Sequence, residues 1–185
     1  IRMGQIKQKL LLEAKAFDRI VEKRVRNGFN PDLNSKKINK FFFNNPWRYP
    51  LTRKLSIKEK TNFVVKECKK GDKVLEVGCG LGTLSMELAK KKIQVLAIDI
   101  SRESIKYANY FSKKKLNNTD YSNLKFQRKA ISEILKNSSK YKFNKIIFFK
   151  TLHHLPGVEI LMKKIKFNLM KKGKIIIVEP FRSEF

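Results

Sequence analysis

The chain has 185 residues, with 43 Lys or Arg against 16 Asp or Glu, a formal net charge of +27 at neutral pH. That length suits one domain with a sizeable core, and no apolar run approaches the roughly 18 to 20 residues of a membrane span. Two cysteines, Cys68 and Cys79, suggest neither a disulfide framework nor a zinc cluster, so both read as buried thiols and no metal site is expected.

The charge invites nucleic acid as a partner, because clustered basic side chains neutralise phosphates and release counterions. Against it, 34 of the basic residues are Lys and only 9 are Arg, the lysines scatter along the whole chain, and Lys, Asn, Ile and Phe are together the products of A/T-rich codons. Base-edge recognition also favours Arg. Nucleic acid is kept as an alternative partner and is not favoured. Glu13, Asp18 and Glu22 make the N-terminal segment unlike a signal or transit peptide, so a cytoplasmic location is expected.

Taken in chain order, Ile6, Leu10, Ala14, Phe17, Val21 and Val25 recur every three to four residues and predict an amphipathic helix over 5–26, ended by Asn27-Gly28. Residues 29–53 are rich in Asn, Pro and aromatics, including Phe41-Phe42-Phe43-Asn44-Asn45-Pro46-Trp47-Arg48-Tyr49-Pro50, and are too apolar for a free linker. The expected division is a helical and aromatic arm or lid over 1–56 and a main domain over 57–185.

A helix over 57–68 leads through Gly71-Asp72 to a strand ending at Val77. Later strands are expected at 93–98, 124–127, 144–149 and 174–178, with helices at 83–91, 102–115, 131–136 and 158–170. Such alternation predicts an α/β fold, a Rossmann-like doubly wound, mostly parallel sheet with helices on both faces and ligands beyond the carboxyl ends of its strands.

The stretch Glu76-Val77-Gly78-Cys79-Gly80-Leu81-Gly82-Thr83 joins the first strand to a helix. Glycines there free the backbone and remove Cβ atoms that would hold a ligand off the loop, while the helix aims unpaired N–H groups at the same space. Asp99 ends the second strand about 20 residues on, the position of a ribose-binding carboxylate in nucleotide folds. A nicotinamide-type G-x-G-x-x-G would need glycine at 83, where this chain has Thr83. The leading ligand is an adenosine-bearing cofactor.

The spacing Glu76-x-Gly78-x-Gly80-x-Gly82, with Asp99 and the turn Leu152-His153-His154-Leu155-Pro156, resembles the class I S-adenosylmethionine-dependent methyltransferases over residues 58–180. The resemblance implies that the loop Gly78, Cys79, Gly80, Gly82 wraps the methionine portion of S-adenosylmethionine, that Asp99 accepts both ribose hydroxyls, that Ile100 lies against adenine, and that Glu76 orients the loop. Phe149 and Lys150, closing the fourth strand, would flank the methyl donor. Many members receive the adenine amino group on an Asp after the third strand; here Ala130 stands at that position, and a backbone carbonyl of Ala130 or Ile131 would have to substitute.

Methyl transfer is an in-line displacement in which positioning carries most of the acceleration. Where the acceptor must lose a proton, His153, His154 or Glu179 are the candidates, His153 and Glu179 as catalytic groups and His154 as a substrate contact. The aromatic segment has two readings: an arm packed on the domain, or a lid whose Trp47, Arg48 and Tyr49 touch substrate. Neither an Asn/Asp-Pro-Pro-Tyr/Phe motif nor a Pro-Cys nucleophile is found, which favours a small-molecule methyl acceptor over nucleic acid. A non-catalytic scaffold is the remaining alternative. The family sheet has seven strands and this chain stops past the fifth; truncation and a naturally shortened sheet are both consistent with that, the first being preferred.

Overall fold

The computed structural model describes residues 3–39 and 46–180; Phe41-Phe42-Phe43-Asn44-Asn45 of the aromatic segment lie outside the described residues. Five strands, β1 (Lys73–Val77), β2 (Gln94–Asp99), β3 (Leu124–Arg128), β4 (Phe143–Phe149) and β5 (Leu169–Val178), form one sheet in the order β3-β2-β1-β4-β5. Every pairing is parallel. The order reverses between β1 and β4, so connections leave these two strands on opposite sides and a crevice opens at their carboxyl ends.

The helices are α1 (Met3–Arg26), α2 (Pro50–Arg53), α3 (Glu59–Lys66), α4 (Thr83–Lys90), α5 (Arg102–Lys115), α6 (Asn118–Tyr121), α7 (Ile131–Leu135) and α8 (Val158–Ile165). One face of the sheet packs Val74, Val95, Ala97 and Ile147 against Val64 of α3, Leu84 and Leu88 of α4, Phe111 of α5 and Val21 of α1. The other packs Leu75, Val77, Ile98, Ile146 and Phe148 against Ile134 of α7 and Leu161 and Ile165 of α8. Both faces of a parallel sheet are thereby covered, which is why its strands read as continuous apolar runs.

The structure departs from the sequence expectation in several places. Before β1 the helical run begins at Pro50, where proline suits the first helical turn, and continues through a π turn (Lys54–Lys58) into α3. The last helix stops at Ile165 instead of residue 170, because Asn168 is buried and donates its amide to the Tyr141 carbonyl at 2.9 Å. β5 starts five residues early, but its register shifts between Phe143 and Lys145, and continuous pairing runs only from Lys174 to Val178. Lys172, at φ +62°, turns the chain within the irregular part. α6 and a short turn of 3-10 helix at Leu152–His154 were not anticipated. Among the described residues no helix is long and apolar enough to cross a membrane.

Candidate functional site

The three loop glycines all have positive φ, but they serve different ends. A Cβ on Gly78 would sit 2.3 Å from Thr151 Cγ2, and one on Gly82 2.7 Å from the Phe126 ring. Those two positions let β4's following turn and β3 close on the loop. Gly80, at φ +53°, would place a Cβ with nothing within 4 Å. Only Gly80 therefore faces open space, a correction to the expectation that all three clear a ligand. The Cys79 thiol is buried in the core, as expected, and burial pushes its pKa well up.

The loop is fixed from beneath. Gly78 and Cys79 donate their N–H groups to the Ile98 carbonyl at 2.8 and 3.1 Å, and Gly80 donates to Asp99 Oδ2 at 2.9 Å. Asp99 Oδ1 accepts the Ser101 N–H at 2.8 Å. Burial raises the Asp99 pKa, opposed by the N–H groups of Ser101, Gly80 and Ile100 and reinforced by Asp18. Each carboxylate oxygen keeps a lone pair beyond these bonds, so the group can still accept two hydroxyl donors.

Glu76 is 3% exposed. It accepts both the hydroxyl and the N–H of Ser85, in the first turn of α4, so it orients that helix rather than the loop. Burial pushes its carboxyl up to about 8. With Ser85 held this way and Gly82 N-capping α4 in the left-handed conformation, the N–H groups of Thr83 and Leu84 remain in the first turn.

At the end of β3 the Ala130 N–H donates to Glu133 Oε1 at 2.8 Å and its carbonyl accepts the Glu133 N–H at 3.0 Å. Ala130 is thus closed into a capping arrangement of α7, and Ile131 packs on the core. Gln127, one strand away from Asp99, holds a buried amide oxygen with no hydrogen-bond partner among the described residues.

Across the crevice, Phe149 packs on the core and Lys150 follows at φ +57°. Glu179, just past β5, accepts the N–H groups of Thr151 and Leu152 on Oε1 at 2.9 and 2.7 Å, and its Oε2 pairs with His153 Nδ1. The carboxylate expected as a base is therefore the N-terminal anchor of the Leu152–His154 turn. His154 Nδ1 lies 3.6 Å from Glu13 Oε2 and its ring meets Phe17 edge-on at 5.2 Å, both on α1. The same helix sends Asp18 to the Ser101 hydroxyl at 2.6 Å and to the Glu103 N–H at 3.1 Å.

In the arm, Trp47 packs edge-on against Phe29 at 5.0 Å and joins the core, the Arg48 guanidinium lies 5.1 Å over the Tyr49 ring, and Tyr49 is exposed. Arg53, only 3% exposed, ties this segment together by donating to the carbonyls of Ser35, Lys37 and Trp47. Nothing in the local sequence marks Arg53 apart from its neighbours Lys54 and Arg48. Among the described residues no group of three metal-ligating side chains converges.

Residues 68–184 match a family described as a methyltransferase domain. Among curated relatives, the ubiquinone biosynthesis O-methyltransferase of Pelagibacter ubique is 27% identical over 166 residues, covering 90% of this chain and 62% of that protein. The protein of the same name from Idiomarina loihiensis is 31% identical over 105 residues, covering 57% of this chain and 41% of that protein. The chain thus spans less than two thirds of either relative's length. Among solved structures, magnesium protoporphyrin IX methyltransferase from Synechocystis with bound S-adenosylmethionine superposes with a TM-score of 0.64 at 16% identity, covering 87% of this chain and 72% of that one. Coclaurine N-methyltransferase superposes with a TM-score of 0.57 at 17% identity, covering 94% and 61%. At such identities these structures bear on the fold alone.

Proposed function

Because the chain belongs to the methyltransferase-domain family, we propose that it binds S-adenosylmethionine in the crevice between β1 and β4 and catalyses methyl transfer to a small-molecule acceptor. The observation that carries this is the pairing of Asp99 with Gly80: one N–H bond at 2.9 Å sets a half-buried carboxylate beside the one loop glycine with open space in front of it. The residues fit the cofactor. Asp99 has lone pairs for a ribose diol, the Gly80 face admits the chain running to the amino acid end, and the Thr83 and Leu84 N–H groups of α4 favour its carboxylate. Ile100 lies next in sequence for the adenine face, and Phe149 bounds the opposite wall.

The cofactor, when bound, supplies an activated methyl on a cationic sulfur. The protein's own contribution is then orientation and exclusion of water. α1 supports exclusion, since its contacts with Ser101 and His154 lie after β2 and after β4, on either side of the glycine loop. Within the arm or lid expected over 1–56, α1 is thus the element that covers the crevice. The relatives' name speaks for a hydroxyl acceptor, and the charge of +27 keeps nucleic acid as the alternative.

Calorimetric titration of S-adenosylmethionine and S-adenosylhomocysteine into the wild type and Asp99→Ala tests the reading. Hydrogen bonds to a charged group are worth about 1.5–3 kcal/mol, so the substitution is expected to weaken binding about 10- to 100-fold. No binding to the wild type, or equal binding to the variant, would remove the proposal. Salt dependence of RNA binding, read as a log–log slope, checks the alternative.

A further inference from the structure

On the α7 face of the sheet, burial fades from the carboxyl ends of the strands to their amino ends. Leu75, Val77 and Ile98 are buried and Leu96 is half-buried, whereas Lys73, Gln94 and Lys125 are exposed. These residues share one face, since partners in register point the same way: Lys73 pairs with Gln94 and Leu96 with Lys125. α7 has five residues and packs Ile134 on the buried half. The other half holds a cavity of about 270 Å³, to which Leu96 and Phe143 contribute apolar lining and Lys73, Lys125, Gln94 and Asn123 polar lining. No carboxylate lines it. The acids of the adjoining amino-end turns, Asp72 and Asp120, are engaged by Lys145 and Lys92, and among the described residues none pairs with Lys73 or Lys125.

Lysines of the connections gather at this same end. Crossover helices of a parallel sheet run back to its amino edge, and there Lys91 and Lys92 follow α4, Lys113, Lys114 and Lys115 end α5, and Lys140 and Lys142 precede β4. At the carboxyl ends the glycine loop 78–82 and the turn 100–101 contain neither Lys nor Arg, and Lys129 and Lys150 stand singly after β3 and β4. A/T-rich codons would load both ends alike. The helix dipole favours cations at the end of α5, but it does not explain lysines on strands, where that residue is disfavoured.

We propose that the amino end of the sheet binds single-stranded nucleic acid, with phosphates on Lys73 and Lys125 and one base in the cavity. The inference is independent of the methyl-transfer reading: the site lies at the end of the sheet opposite Gly80 and Asp99, so the strand docks there without being the methyl acceptor. Lys73 and Lys125 are two strands and two residues apart, about 12 Å between Cα atoms, a span that two long ammonium stems close on neighbouring phosphates. Gln94 and Asn123 offer amides to a base edge, and Leu96 and Phe143 an apolar surface to its ring. A duplex keeps its bases stacked away from such a recess, and a lipid surface leaves it empty. Lysines in place of arginines suit phosphate contact that tolerates any sequence.

The probe is fluorescein-labelled oligothymidylate of about 12 nucleotides, within the usual site sizes, followed by anisotropy across a salt series. Each phosphate contact of a single strand adds about 0.7 to the log–log slope, so Lys73→Gln/Lys125→Gln should flatten it by about 1.4. Lys9→Gln/Lys15→Gln removes the same charge from exposed positions of α1 and should leave the slope unchanged. An abasic strand with the same phosphates should bind about tenfold more weakly, and saturating S-adenosylhomocysteine should not displace the probe. No binding by the wild type, equal changes in the two double variants, equal affinity for the abasic strand, or displacement by S-adenosylhomocysteine would overturn the assignment. So would binding to phosphatidylglycerol vesicles without binding of the oligonucleotide, which would give this end to a membrane surface. Failure of S-adenosylmethionine binding with these results intact would remove the methyl-transfer reading and leave the nucleic-acid site standing.

Discussion

Glu76 offers the most direct test of the energetics under the glycine loop. The carboxyl is 3% exposed and its pKa is pushed by burial from 4.5 to about 8, against the opposing hydrogen bonds from Ser85. Between those two values the folded protein keeps a proton that the unfolded chain has released, so stability falls as pH rises through the window and is level on either side. At about 1.4 kcal/mol per pH unit, the window amounts to something on the order of 5 kcal/mol. Glu76→Gln keeps an amide oxygen for Ser85 and removes the titration. In thermal denaturation followed from pH 5 to 9, the melting temperature of the variant should gain on the wild type by about 3–5 °C per pH unit up to about pH 8, and no further. Asp99 and Cys79, whose pKa values are also raised, occur in both proteins and largely cancel in the difference. A difference that stays flat with pH would show that Glu76 is ionised when folded, and the argument from burial would fail.

The glycines separate packing from binding. Gly82→Ala places a Cβ 2.7 Å from the Phe126 ring at φ +75° and should cost about 1–3 kcal/mol in a urea melt, whereas Gly80→Ala meets no atom, should cost about 1 kcal/mol, and should show its main effect as weaker S-adenosylmethionine binding by calorimetry. Equal stability losses would contradict the division. Asp18→Ala removes the acceptor for the Ser101 hydroxyl and the Glu103 N–H and should cost about 1–2 kcal/mol, with faster hydrogen exchange in α1 and unchanged exchange in β1 and β4.

What the sequence shows plainly is whatever depends on local pattern. Helix α5 is expected at 102–115 and found at Arg102–Lys115, because Ser101 caps it and apolar residues recur at helical spacing. The continuous β5 pairing from Lys174 coincides with the expected strand, since Ile175, Ile176, Ile177 and Val178 are all β-branched. What it hides depends on partners far along the chain. Arg53 finds carbonyls 16 and 18 residues away, and Asp18 reaches a hydroxyl 83 residues away; no spacing rule announces either. Glu179 was legible as a carboxylate at a strand end, but its engagement with the N–H groups of Thr151 and Leu152 follows from how β5 pairs with β4, which one strand's composition does not specify.

The same distinction separates the aromatic segment, whose composition suggests a lid, from α1, which carries the contacts across the edge. Glu13 and Asp18 are five residues apart, about 7.5 Å along a helix axis, and the strands they serve, β4 and β2, lie on either side of β1, about 10 Å apart at the usual strand spacing. Side-chain reach closes the remainder. Buried Val21 fixes the roll of the helix against the core, so Glu13, Phe17 and Asp18 fall on the side that meets the carboxyl ends. A helix read alone shows only that it has an apolar stripe. That its polar flank caps α5 at one end and meets a histidine turn at the other becomes visible only when the sheet order has placed β2 and β4 around β1.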